Sequence, residues 1–257
     1  MKIGKLHGGG KEFTGIINEE KGIVEEVDDP FSRTKTGRVY PFGEFKFLPP
    51  ITPTKIIGVG LNYADHAREL GMELPSEPLI FLKPPSAIIG NMDAIVHPRS
   101  SKRVEYEGEL AVVIGKKCRN VPKTHAHEVI LGYTIFNDVT ARDLQEKDEL
   151  WTRSKGFDTF APIGPWIITP NEVNDASSLN IRTLLNGDIR QDSNTSKLIF
   201  GVRDLVAFIS DIMTLNPGDV IATGTPPGVG PIRPGDVVSI EIEGIGKLSN
   251  PVVKSRG

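Results

Sequence analysis

The stretch Arg103-Val104-Glu105-Tyr106-Glu107-Gly108-Glu109-Leu110 places three glutamates at alternate positions. On a strand, period two directs all three to one face. Three like charges on one face repel each other unless water or a cation screens them. A solvated strand face meets that condition, and so does a metal site. Two features pull toward the second. Glu109 abuts the continuously apolar run Leu110–Ile114, where an exposed strand would go on alternating. A further carboxylate, Asp138, ends another apolar segment, Gly132–Asn137. Acids at the ends of two buried strands make an all-oxygen site. Such a site suits Mg2+ or Mn2+, with Ca2+ as an alternative, and leaves positions for water and substrate.

Histidine is scarce, five in the chain. His125 and His127 form an H-x-H pair, but their segment reads as a short helix, where i and i+2 do not share a face. His7 and His97 read as surface or turn residues. His66 and Glu69 are neighbours at i, i+3 of a helix-forming segment, a spacing that lets a carboxylate orient an imidazole and raise its basicity. The same pair is also common on solvated helix surfaces. The loop Thr223-Gly224-Thr225-Pro226-Pro227-Gly228-Val229-Gly230 departs from G-x-G-x-x-G and precedes no helix. It reads either as a wide turn or as a backbone cradle for an anion. Gly8-Gly9-Gly10-Lys11 lacks the spacing and the hydroxyl of a phosphate loop.

The scaffold that must position these groups is predominantly β. Gly and Pro number 27 and 20 of 257 residues, above ordinary usage, so turns are many. Phe13–Ile17 and Gly22–Val27 read as a hairpin. Leu48–Thr54 carries three prolines within five residues and reads as a linker. It divides the chain into a small β-rich N-terminal segment with its linker, 1–53, and a main domain, 54–257. Lys55–Val59 is a strand, and Asn62–Leu70 a helix with Asn62 as candidate cap, stopped by Gly71. Gly58, Gly60 and Gly71 flank it as candidate hinges. Val104–Val113 reads as one strand, Gly132–Asn137 as another, His125–Leu131 as a short helix and Ala141–Asp148 as a charged one. Asn186-Gly187 joins Asn180–Leu185 to Asp188–Gln191 in a two-residue hairpin. Asp204–Thr214 is an amphipathic helix with Leu205, Phe208, Ile209, Ile212 and Met213 inward. Two Pro-Gly-Asp turns, at 217 and 234, precede the strands Val220–Ala222 and Val237–Ile242.

Composition narrows the function classes. A net charge of −3 argues against nucleic acid as partner. The single cysteine, Cys118, excludes an intramolecular disulfide framework and a four-cysteine zinc site. The apolar runs are far too short for a membrane span, and Met1–Glu12 has no signal-peptide core. A soluble, cytoplasmic protein is expected.

Taken together, these motifs resemble the fumarylacetoacetate hydrolase family. The matching pieces are Gly60-Leu61-Asn62-Tyr63-Ala64-Asp65-His66, Phe81-Leu82-Lys83-Pro84, Tyr106-Glu107-Gly108-Glu109-Leu110, Asp138-Val139-Thr140-Ala141-Arg142-Asp143, Lys155-Gly156-Phe157-Asp158, Thr223-Gly224-Thr225-Pro226 and Gly228-Val229-Gly230. They run in order from about Lys55 to Val253. The short N-terminal segment points to the smaller bacterial and archaeal type. The resemblance implies an α+β, mostly β fold, a mixed β-roll around a closed sheet with a small β-rich N-terminal appendage, and a homodimer. It implies Mg2+ or Mn2+ held by Glu107, Glu109 and Asp138, with Glu105 left as a neighbouring or solvent residue. It assigns His66 and Glu69 to a mobile lid helix, Lys155 and Gln145 to catalysis, and Thr225, Lys83 and Arg142 to substrate acid groups. Leu61 stands where some characterised members have Arg.

The implied chemistry is metal-dependent attack on a 2-oxo carboxylic acid, a 2,4-dioxo or 2-hydroxydienoic acid, through an enolate. Lys155 and Gln145 would donate to the developing oxyanion, and His66 would move a proton or activate water. C–C hydrolysis is the leading expectation. Isomerisation of a 2-hydroxyhepta-2,4-diene-1,7-dioate type diacid, or decarboxylation of oxaloacetate, is the alternative. A metal-dependent nuclease is disfavoured by the acidic balance, and a non-catalytic metal-binding protein is the remaining rival.

Overall fold

The computed structural model describes residues 1–43, 45–69, 73–173 and 175–255, the side chains of His66, Ala67 and Glu69 excepted. Its described strands form three sheets. The largest runs Lys35–Pro41, Ile23–Val27, Lys11–Asn18, Lys2–Gly8, Ala161–Ile168, Ile130–Asn137, Gly108–Ile114, Val220–Ala222, Ile56–Gly60, Leu79–Lys83. Neighbours along it are antiparallel except Val220–Ala222 beside Ile56–Gly60. A five-stranded sheet (Asp188–Asn194, Asn180–Leu185, Val237–Ile242, Gly246–Lys254, Ile95–His97) and a three-stranded one (Thr140–Ala141, Val104–Tyr106, Gly230–Ile232) complete the set. The fold is strand-dominated, as expected.

The strand Gly108–Ile114 is buried on both faces. Leu110, Val112 and Ile114 join one core cluster with Ile181, Ile240 and Ile242 of the five-stranded sheet. Ala111 and Val113 turn the other way, into a second cluster with Phe136, Ile163 and Val220. Each such large aliphatic side chain contributes about 1.5–3 kcal/mol. This double burial is why the run is solidly apolar and why the strand is fixed so firmly behind the acids at its start. The helix Val202–Ile212 closes the first cluster through Val202, Leu205, Val206 and Ile209. Of the expected inward stripe, Leu205 and Ile209 are buried and Phe208 and Met213 pack against the same cluster, whereas Ile212 is 48% exposed.

The N-terminal segment 1–53 is joined to the rest by hydrogen bonding, Lys2 and Ile3 pairing with Ile168 and Ile167. It keeps a small core of its own, Leu6, Phe13, Ile17 and Val24. The proline-rich stretch at its end is anchored by Asp219. That buried carboxylate accepts from Thr54 N at 3.1 Å, Thr54 Oγ1 at 2.6 Å, Lys55 N at 3.1 Å and Asn216 N at 2.7 Å, and pairs with Lys55 Nζ. The Asn186-Gly187 hairpin is present, with φ of 55° and 92° at the two turn residues, as the two-residue turn requires.

Three expectations are corrected. Val104–Val113 is two strands in different sheets, broken at Glu107. The break is held open by side chains, Asn137 Oδ1 accepting from Glu107 N at 3.0 Å and Gln191 Oε1 from Gly108 N at 3.1 Å. Asn62 does not cap the following helix, Ala64–Glu69. It is fully buried and ties the 223 loop to residue 200: its Nδ2 donates to Phe200 O at 3.0 Å and Thr223 O at 2.8 Å, and its Oδ1 accepts from Phe200 N at 2.8 Å. Gly58 and Gly60 are not hinges but members of the strand Ile56–Gly60, giving space to the rings of Phe81 and Trp151. Gly71 lies outside the described residues. Among the described residues, no helix is long and apolar enough to cross a membrane.

Candidate active site

The break at Glu107 turns its side chain toward Glu109 and Asp138. Asp138 follows the strand Ile130–Asn137 and donates its backbone N–H to Glu107 O at 2.9 Å, which locks the two acids together. Ligand oxygens of Glu107, Glu109 and Asp138 lie within 4.8 Å of one another, and all three residues are buried. Glu105 is also fully buried, at 0% exposure, but stands apart from this trio. The solvent reading of Glu105 is therefore corrected: it receives Arg103 Nε at 2.6 Å and Arg142 Nε at 2.7 Å.

Cations compensate most of this charge. Lys155 Nζ donates to Glu107 Oε2 at 2.8 Å and to Asp138 Oδ2 at 2.6 Å. Arg142 bridges Glu105, Glu107 and Gln145, through Nε, Nη2 and Nη1. Lys83 donates to Asp138 Oδ1, and to Val139 O at 3.1 Å. Burial alone would raise the Glu107 carboxyl, yet Lys155 and Arg142 outweigh it and hold the group well below the usual carboxylate range. Burial would likewise lower Lys155, but Asp138 and Glu107 keep its ammonium charged. Lys83 has one carboxylate partner rather than two, so burial wins and its amine is pushed down.

Glu109 is different. Among the described residues it has no cationic partner within ion-pair distance, and its hydrogen bond is from Gly224 N at 2.8 Å. Burial first, then Asp138 and Glu107, push its carboxyl well above the ordinary value. The glycine-rich loop thus gives one backbone N–H, that of Gly224, to the protein's own Glu109. The donor set fits a hard divalent cation. Three carboxylates converge on one point, one of them uncompensated, and the hydrogen-bonded oxygens of the other two each retain a lone pair.

The trio opens into a cavity of about 360 Å3, lined also by Arg142, Gln145, Lys155 and Thr225. Val59, Leu61, Phe81 and Trp151 form its apolar wall, the two rings meeting edge-on at 5.3 Å between centroids. A larger space of about 540 Å3 lies away from the trio, beside the start of the helix Val202–Ile212. Because Gln145 Oε1 accepts from Arg142, its amide N–H groups are left as the free donors.

The expected residues divide clearly. Glu107, Glu109, Asp138, Lys155, Gln145, Arg142 and Thr225 come together on one cavity. Lys83 does not: its side chain is wholly buried, donates to Asp138 Oδ1 and is not among the residues lining the cavity. Arg142 lines the cavity but is committed to Glu105 and Glu107. The side chains of His66 and Glu69 lie outside the described residues. His125 and His127 sit on a 3-10 helix, Lys123–Val129, and neither belongs to a metal-binding group among the described residues. Sequence reasoning missed Gln191 and Trp151, and no local pattern marks either.

The site is a buried three-carboxylate cluster under a half-apolar cavity, carried on a strand-dominated fold. The family model described as fumarylacetoacetate (FAA) hydrolase C-terminal matches residues 55–253, and the chain belongs to that family, whose members are enzymes. A mitochondrial oxaloacetate tautomerase of Xenopus laevis is 47% identical over 216 residues, 80% of this chain and 68% of that protein. The crystal structure of 5-carboxymethyl-2-hydroxymuconate delta-isomerase from Mycobacterium smegmatis is 47% identical, with a TM-score of 0.92, and covers 99% of this chain and 100% of that one. A maleylpyruvate hydrolase from Sphingobium, in complex with manganese(II) and pyruvate, is 30% identical with a TM-score of 0.82, and covers 100% of both chains.

Proposed function

We propose that the chain is a divalent-metal-dependent enzyme that interconverts the keto and enol, or dienol, forms of a 2-oxo carboxylic acid. The observation that carries this reading is the uncompensated buried carboxylate of Glu109, set beside Glu107 and Asp138 at the floor of the 360 Å3 cavity. A cation held by Glu107, Glu109 and Asp138 would supply Lewis-acid polarisation of the substrate's carboxylate and keto oxygens. Lys155 spends two N–H groups on Glu107 and Asp138 and keeps a third for the oxygen at C2, where charge develops as a proton leaves C3. Gln145 presents its amide N–H groups from the same side. Thr225 offers a hydroxyl to the acid group. Phe81, Trp151 and Leu61 exclude water from the substrate's remote end. His66, with Glu69, is assigned the proton at C3.

Isomerisation is favoured over C–C hydrolysis because the isomerase and the tautomerase are each 47% identical to this chain, against 34% for a fumarylacetoacetate hydrolase from Exiguobacterium antarcticum and 30% for the maleylpyruvate hydrolase. Hydrolysis is the second reading, supported by that hydrolase's match over the whole chain at the same fold. Turnover with Mg2+ or Mn2+ on enol-oxaloacetate, a 2-hydroxydienoic diacid and an acylpyruvate tests the choice. Rapid ketonisation or double-bond migration, with slow acylpyruvate cleavage, is expected. Fast cleavage of the acylpyruvate without isomerisation overturns it in favour of the second reading.

A further inference from the structure

Gln191 lies in the strand Asp188–Asn194 and is fully buried. It does not line the cavity, yet its amide joins two segments that do. Its Oε1 accepts from Gly108 N at 3.1 Å, between Glu107 and Glu109. Its Nε2 donates to Pro226 O at 2.7 Å and to Thr225 Oγ1 at 2.8 Å. The orientation of this amide is fixed by its partners, because a backbone N–H only donates and a backbone carbonyl only accepts. The end facing Gly108 must be the carbonyl, and the end facing Pro226 must be the NH2. The Thr225 oxygen is therefore an acceptor in its bond to Gln191. Its own proton has to point elsewhere, and in the structure it goes to Gly108 O at 3.0 Å.

We infer that Gln191 is a positioning residue that makes the Thr225 hydroxyl a hydrogen-bond donor toward the carboxylate group of the bound 2-oxo acid. This rests on the proposed function, in which Thr225 meets that group. On binding, the Oγ1 proton turns from the Gly108 carbonyl to the substrate carboxylate, while Nε2 holds the oxygen in place. No bond other than hydrogen bonds changes. The same amide sets the distance between Thr225 and the acid trio, because its other end grips the residue between Glu107 and Glu109. Little slack is available there: a Cβ on Gly108 would meet Thr183 Oγ1 at 2.2 Å and Gln191 Oε1 at 3.2 Å.

The test is a double-mutant cycle on binding, not turnover. Pyruvate is titrated into the Mn2+-loaded full chain by calorimetry, for wild type, Thr225→Val, Gln191→Met and the double variant. Mn2+ affinity is measured separately by electron paramagnetic resonance. A hydrogen bond to a charged group predicts about 10- to 100-fold weaker pyruvate binding in Thr225→Val. Gln191→Met should weaken it about tenfold, and the double variant should bind no worse than Thr225→Val alone. Mn2+ affinity should fall less than pyruvate affinity does, since Gln191 contacts none of the three carboxylates in the described hydrogen bonds and reaches them only through Gly108. Gln191→Glu keeps the side chain's size and is run alongside, so that the comparison stands if Gln191→Met does not fold. There the introduced carboxylate accepts the Thr225 proton, and a loss at least as large is expected. Losses that multiply in the double variants overturn the inference, as do Gln191 variants that bind pyruvate normally while Thr225→Val does not. Normal pyruvate binding by Thr225→Val itself refutes the placement of Thr225 on the substrate, and the role of Gln191 falls with it.

Discussion

Replacing Lys155 by Met removes the one cation shared by Glu107 and Asp138. The two ion pairs, at 2.8 and 2.6 Å, are each worth about 6 kcal/mol of gross attraction at an effective dielectric of ~20. Most of that offsets the cost of burying the charges. The net loss on removing one partner of a buried pair is about 3–5 kcal/mol, because the remaining charges stay behind unpaired. For a chain of this size, each kcal/mol lowers the melting temperature by about 2–4 °C, so a fall of about 6–20 °C is expected by differential scanning calorimetry in EDTA. The sign of the pH dependence follows from Glu107. Its folded-state carboxyl is held below the usual value, chiefly by Lys155 and Arg142 against the effect of burial. Its stabilising contribution is therefore present above the ordinary glutamate range and lost as pH falls. Wild type and Lys155→Met should accordingly converge at acid pH. Adding Mn2+ should raise the melting temperature of Lys155→Met more than that of wild type, since a bound cation replaces the missing charge and binds the native state alone. A fall below about 2 °C in EDTA, or equal Mn2+ shifts in the two proteins, would refute the argument that Lys155 neutralises the trio.

Glu109→Gln should abolish the melting shift caused by Mg2+ or Mn2+, while in EDTA it should melt no lower than wild type, because the carboxyl it replaces is uncompensated. Raised chiefly by burial, then by Asp138 and Glu107, Glu109 makes the metal-free protein less stable as pH climbs above the ordinary glutamate range; calorimetry of the variant should show that part of the slope gone. In Gly60→Ala the new Cβ would stand 2.8 Å from Trp151 Cζ3, forcing the ring toward the cavity, so KM should rise about tenfold or more with Mn2+ binding intact; a normal KM would show that the wall does not touch substrate. His66→Ala should lose about 10²- to 10⁴-fold in kcat and keep its Mn2+ melting shift, and unchanged turnover would place the base elsewhere. Light scattering should return twice the chain mass of 28.0 kDa for a homodimer; the monomer mass contradicts it.

What could be read in the sequence was what local pattern controls. Glu109 and Asp138 announce themselves because each borders an apolar run whose double burial leaves a carboxylate little reason to be there, and Glu107 follows from Glu109 by the period of two. Asn186-Gly187 is legible because few other residue pairs tolerate its backbone. The partners of Lys83, Glu105 and Asn62 were hidden for the opposite reason. Lys83 meets Asp138 across 55 positions, Glu105 meets Arg142 across 37, and Asn62 meets Thr223 across 161. No periodicity encodes such partners. The break at Glu107 was hidden for the same cause, since it is held by Asn137 and Gln191 from other strands. Gln191 is a polar residue in a hairpin whose alternation reads as ordinary surface, and only packing of the five-stranded sheet against Gly108 reveals its task. Thr225 and Lys155 were reached through family resemblance, and the structure supplies the physical account, a hydroxyl and an ammonium held by buried partners at one cavity.

The central claim is that the trio of Glu107, Glu109 and Asp138, carrying a divalent cation, labilises the C3 proton of a 2-oxo acid. Proton nuclear magnetic resonance of oxaloacetate and pyruvate in D2O measures that step directly, as loss of the C3 signal. The account predicts exchange that is accelerated by the full chain with Mg2+, and that drops to the protein-free rate in EDTA or in Glu109→Gln. Exchange that persists unchanged in EDTA, or in Glu109→Gln with Mg2+ present, would contradict it.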